Sequence, residues 1–178
     1  MKLLATFALI AIILCAGSVY CHATPLPLDG SWTTLLEYMN EGDFFTDGPY
    51  TWTSSQTVRF TITDYMVVSD RFEVYDLGTL VAETPWVPDW DELGVGKGDS
   101  PPYTDDPDLA FADGSFSAMV IDFAPGIHEI EIRNIHLPHE TVMGTVAFKA
   151  VEIPEPCTIV FAAIGGLAVL KRRRRTRQ

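Results

Sequence analysis

The strongest constraint on this chain is a two-residue rhythm of apolar and polar side chains. Across residues 57–63, Val58, Phe60 and Ile62 alternate with Thr57, Arg59, Thr61 and Thr63. A strand sends successive side chains to opposite faces, so the first set is expected in a core and the second in solvent. Residues 71–76 repeat the rhythm, with Phe72 and Val74 inward against Arg71 and Glu73, and residues 129–134 set Ile130 and Ile132 inward against Glu129, Glu131 and Arg133. Toward the end, Val146, Phe148 and Ala150 alternate with Thr145 and Lys149. Less regular strand candidates occupy residues 32–37, 50–54, 79–84 and 116–123. Helical periodicity is scarce.

Turn-forming residues punctuate these runs: Asp47-Gly48-Pro49, Ser69-Asp70, Asp76-Leu77-Gly78, Pro125-Gly126 and the stretch 138–144. About eight short strands joined by turns, with no helical segments between them, predict an all-β fold, an antiparallel two-sheet sandwich of jelly-roll type. Residues 85–113, rich in Pro, Gly and Asp, form the exception. At roughly 30 residues this stretch exceeds an ordinary connection and reads as a functional loop or a disordered one.

The two ends are of another kind. Lys2 precedes an apolar run over residues 3–17, and Cys21-His22-Ala23 offers small residues where a signal peptidase reads, so residues 1–23 are expected to be a signal peptide with Thr24 as the mature start; a cut after Gly17 is the second choice. The run is short for an uncleaved anchor. Leu14 and Tyr20 precede Cys15 and Cys21, which rules out a lipoprotein box. At the other end Pro154-Glu155-Pro156 is followed by an uncharged stretch over residues 157–170 and then by Lys171, Arg172, Arg173, Arg174, Arg175 and Arg177. Two prolines keep the motif extended and out of any helix or ladder. The apolar stretch makes a helix of about 21 Å against a hydrocarbon core of about 30 Å. The basic cluster can snorkel to the headgroups and favours the cytoplasmic side, which places the body outside.

In these three parts, taken in order, residues 153–178 resemble the PEP-CTERM sorting signal of Gram-negative bacteria. The resemblance implies recognition of Pro154, Glu155 and Pro156 by an exosortase, a membrane cysteine transpeptidase, and removal of the tail after transient residence in the inner membrane. Cys157 stands where that family more often carries Ser or Ala. A plain stop-transfer anchor is the alternative reading of the same residues. Leu137-Pro138-His139-Glu140-Thr141 looks like a Gram-positive sorting motif, but it lies far from the apolar stretch.

Between the ends, residues 24–152 form one domain with room for a real core. Its basic side chains are Arg59, Arg71, Lys97, Arg133 and Lys149, against every acidic residue of the chain except Glu155, so it is far more negative than the whole chain's −12. Such a surface repels nucleic acid and anionic headgroups and suits a soluble extracellular domain or cation binding. All three cysteines lie in the ends, so packing alone must hold the domain. Three strings, over residues 69–78, 106–113 and 125–130, resemble β-sandwich domains of secreted bacterial and fungal proteins, a likeness that implies fold and no activity.

Candidate chemistry is sparse. Asp99, Asp105, Asp106, Asp108 and Asp113 supply hard oxygen ligands of the kind Ca²⁺ takes, but their spacing is not that of an EF-hand loop, so solvated loop charges are the first reading and calcium the second. His136 and His139, with Glu140 adjacent, lack zinc-protease spacing, and Pro138 breaks any helix between them. Gly114-Ser115-Phe116-Ser117 lacks the second glycine of a nucleophile elbow, and nothing in the sequence pairs it with His128. No catalytic residues are therefore assigned. Trp86 and Trp90, flanking Val87-Pro88-Asp89, could stack on a sugar ring or cover a sandwich edge. The expected function is that of an exported surface or extracellular-matrix structural protein, brought out by the general export machinery and signal peptidase and processed by an exosortase. The alternative is a carbohydrate- or calcium-binding module on a plain anchor, with extracellular polysaccharide as its partner.

Overall fold

The computed structural model describes residues 23–88, 102–137 and 143–154. The expected signal peptide and the tail beyond Pro154 lie outside these residues. Among the described residues no helix is long and apolar enough to cross a membrane.

The described residues form eleven strands and one short helix in order: β1 (Thr24–Pro25), β2 (Thr33–Tyr38), β3 (Tyr50–Ser54), β4 (Thr57–Asp64), β5 (Met66–Val67), β6 (Arg71–Asp76), β7 (Thr79–Glu83), β8 (Tyr103–Thr104), α1 (Pro107–Ala112), β9 (Ala118–Phe123), β10 (Gly126–His136) and β11 (Met143–Ile153). One sheet runs β1-β3-β10-β6-β7 and the other β2-β11-β4-β9, while β5 and β8 make a small separate ladder. Among the eight longer strands the pairs β2·β11, β3·β10, β4·β9 and β6·β7 are all antiparallel. They are the four rungs of one long hairpin rolled on itself. Further pairing of β11 with β4 and of β10 with β6 closes the two sheets, which gives the jelly-roll order.

The alternating residues fill the space between the sheets. Val58, Phe60, Ile62, Phe72, Val74, Ile130, Ile132, Val146, Phe148 and Ala150 belong to one buried cluster. Its centre is a run of rings: Trp52 stacks on Phe60 at 6.1 Å, Phe60 stacks on Phe148 at 5.8 Å, and Tyr50 meets Phe148 edge-on at 4.7 Å. Such pairs add to what area burial alone supplies.

The outer face of the four-stranded sheet departs from the sequence reading. Thr61, Thr63 and Thr145 were expected in solvent and are buried. The cause is α1, which forms inside the stretch expected to be loop and helps cover that face; Ala110 of α1, Ala147 of β11, Tyr65, Val68 and Phe116 form a second small core there. Asp106 caps the helix, its side chain accepting from the Asp108 and Leu109 amides, and Pro107 occupies the first turn, where its missing N–H costs nothing.

The β6–β7 hairpin turns through Leu77 and Gly78, both at positive φ (49° and 73°). That is the pattern of a type I′ turn, in which Asn-Gly is the preferred pair. Leu77 is exposed, so its side chain contributes little burial to offset the left-handed backbone. Leu77→Asn is expected to stabilise the domain by about 0.5–1 kcal/mol in a urea titration; an unchanged or lower midpoint would mean that Leu77 makes contacts worth more than the strain.

Candidate functional site

The segment after β7 carries the described calcium and sugar candidates, Asp105, Asp106, Asp108, Asp113 and Trp86. Asp108, in the first turn of α1, accepts from Trp32 Nε1 at 3.0 Å and from Lys149 Nζ at 2.9 Å, and the Lys149 ammonium lies 4.0 Å from the centre of the Trp32 ring. The bond from Lys149, and then that from Trp32, hold the Asp108 carboxyl below its usual range. Asp106 is engaged as the helix cap, and Asp113 accepts from the Ser115 amide at 2.9 Å. Asp105 is exposed. Three of the four described calcium candidates thus serve to fix α1 and its flanks. Among the described residues no three His, Cys, Asp or Glu side chains gather as ligands of a metal. Asp99 lies outside the described residues.

Trp86 is 57% exposed, between the buried Thr84 and Val87. Its backbone is held from below: Ser117 Oγ donates to the Pro85 carbonyl oxygen at 2.6 Å and sits 2.8 Å from Thr84 Oγ1, which in turn accepts from the Phe72 amide. An indole pushed outward from a fixed backbone can meet a ligand, but Trp90, its expected companion, lies outside the described residues. An open groove of about 530 Å³ lies between β8 and α1, lined in part by Tyr103, Thr104, Leu109, Asp113 and Phe116. Trp86 is not part of that lining.

His128 is built into the wall of the sandwich. Its Nδ1 lies 2.8 Å from Asp76 Oδ2, its Nε2 lies 2.9 Å from the Ala124 carbonyl oxygen, and its ring packs beside Trp52 and Phe123. Neither nitrogen faces Ser115 or Ser117. His136 reaches Glu41 at 3.9 Å, while His139 and Glu140 lie outside the described residues.

Sequence reasoning missed one constellation. Asp64 ends β4 and Asp70 precedes β6; both are buried, and Asp64 Oδ2 accepts from the Asp70 amide at 3.1 Å. Thr145 of β11 closes the group: its amide donates to Asp70 Oδ2 at 2.7 Å, its hydroxyl donates to the Tyr65 carbonyl oxygen, and Thr145 Oγ1 lies 3.4 and 3.5 Å from the two carboxylates. Burial pushes the Asp70 carboxyl up to about 7 against the lowering bonds from Thr145. Asp64 is raised well above its usual range, by burial first and by the charge of Asp70 second. Nothing in the sequence marked these residues. Thr145 is 75 positions from Asp70 and 81 from Asp64, and only the β11·β4 pairing brings them together.

At the far end of β11 the ladder with β4 closes at Ile153 opposite Thr57, and Pro154 is exposed just beyond it. Glu155, Pro156, Cys157 and the basic cluster lie outside the described residues.

No protein-family model and no curated protein matches the chain. Among solved structures, the 1.0 Å crystal structure of the pre-peptidase C-terminal domain of collagenase from Bacillus anthracis is similar at a TM-score of 0.37 and 10% identity, over 72% of this chain and 94% of that one.

Proposed function

We propose that the chain is an exported surface or matrix protein whose jelly-roll body is released from a transient inner-membrane anchor by an exosortase acting at Pro154-Glu155-Pro156. One observation supports this above others: β11, an interior strand of its sheet, ends at Ile153, and the exposed Pro154 follows at once. The motif therefore starts where the ladder stops. Proline cannot extend that ladder, and a protease reads its substrate in extended form. The body is a non-catalytic structural or interaction module in this reading. The exposed Trp86 favours a second activity on the same body, stacking on a neutral sugar ring.

Replacing Pro154, Glu155 and Pro156 together by alanine in the natural host is the decisive test. Export should persist, because it depends on the N-terminal segment and the apolar stretch. Processing should stop, and a longer species still carrying residues 157–178 should collect at the inner membrane. Intact mass of the wild-type surface protein reads the outcome directly; a mature chain still ending at Gln178 would refute the sorting reading.

A further inference from the structure

We propose that Asp64 and Asp70 form a proton-operated lock, in which hydrogen retained between two buried carboxyls ties the corner from β4 to β6 against β11. Asp64 is 0% and Asp70 2% exposed, and both meet Thr145 near the start of β11. Two carboxylates this close and this deep cannot both stay ionised without a counter-charge.

Among the described residues the geometry supplies none. The charge that acts on Asp64 is Asp70 itself, and no cation is among the influences on Asp70. Neighbouring elements do carry charged groups, but each has another partner. Arg71 is paired with Glu83 of β7, Arg59 of β4 with Asp122 of β9, and Lys149 of β11 with Asp108 of α1. On β10, His136 faces Glu41 and His128 faces Asp76 of β6. Neutralisation therefore falls to a proton. What the lock holds is considerable: Tyr65 and Val68, between the two aspartates, belong to the second core under α1, and β5 in the same corner pairs with β8.

The sign follows from linkage. Unfolded, Asp70 gives up its proton near 3.8; folded, it keeps it to about 7. Within that window the folded state binds more protons, so stability falls as pH rises, up to tenfold in the folding equilibrium constant per pH unit and roughly a thousandfold across the window. Asp29, Asp43, Asp108 and Asp122 are held below 3.8, so the stability they add is complete above that value and is lost only at lower pH. They leave the window clear.

The test is urea denaturation of the full chain in mild detergent between pH 4 and 8, for wild type and for Asp70→Asn. Asparagine can accept from the Thr145 amide and donate to Asp64, as a protonated aspartate does. Wild-type stability should fall steeply toward pH 8, while the variant's curve should be much flatter and cross above it near neutrality. Parallel curves would overturn the proposal. So would millimolar Ca²⁺ restoring wild-type stability at pH 8 but leaving the variant unchanged, since a cation and not a proton would then neutralise the pair. Should Asp70→Asn fail to fold, carboxyl-carbon NMR of the wild-type chain decides: two carboxyls that keep their protons well above the ordinary aspartate range uphold the lock, and fewer than two remove it.

Discussion

Phe60→Ala is expected to leave the domain barely folded at room temperature. Phe60 is fully buried at the centre of the ring cluster, stacked on Trp52 and Phe148 and edge-on to Phe123 at 6.2 Å. Both sheets supply these partners, so neither can close the void without moving against the other. Removing a buried phenylalanine costs about 3–5 kcal/mol, against a total of about 5–15 kcal/mol for an ordinary domain. With no disulfide in the body to hold the remainder, the melting temperature should drop by about 10 °C or more. Urea titration checks this, with an unchanged slope expected, and Phe60→Leu should cost far less. A loss below about 1 kcal/mol would mean that the two sheets are not pinned through this ring.

The second large effect comes from adding a single carbon. A β-carbon on Gly144 of β11 would sit 2.5 Å from Met39 Sδ and 3.0 Å from Asn134 Nδ2, closer than packed atoms tolerate. Met39 and Asn134 are both buried, so neither has free space to retreat into. Overpacking of this kind costs about 1–3 kcal/mol, which is the expected result for Gly144→Ala. Met39→Ala opens the missing space, at its own cost as a core truncation. The double variant should accordingly lose less than the two single losses added, by about 1 kcal/mol in a double-mutant cycle. Strict additivity would show that the clash is relieved elsewhere.

The strands were legible because their alternation is a direct image of the sheet's two faces. Val58, Phe60 and Ile62 all point into the core, as their spacing predicts, and residues 50–54 and 71–76 match β3 and β6 end for end. Thr61, Thr63 and Thr145 were misread because a polar residue every second position says which face it occupies but not what lies over that face. The cover, α1, is only six residues long and sits in a Pro- and Asp-rich stretch, where composition argues for loop. One local signal did mark it: Asp106 followed by Pro107 is a cap and a first-turn proline in sequence. Asp64 and Asp70 had no such mark. Carboxylates default to the surface, and their burial depends on a strand some 75 positions away whose register no local pattern discloses. The calcium reading of residues 105–113 rested on charge density alone, which does not say where each carboxylate points.

The place of β10 and β11 has a consequence in time. They are the last two strands among the described residues, yet β10 lies between β3 and β6 and β11 lies between β2 and β4. A chain that emerges from its N-terminus therefore meets each sheet as two separated pieces, with β2 waiting for β11 and β3 for β10, both far downstream. The first layer cannot be completed until His136 is free, nor the second until Ile153 is. The body stays threadable through a narrow pore for as long as these two strands are held back, and collapses into a closed roll only once both arrive.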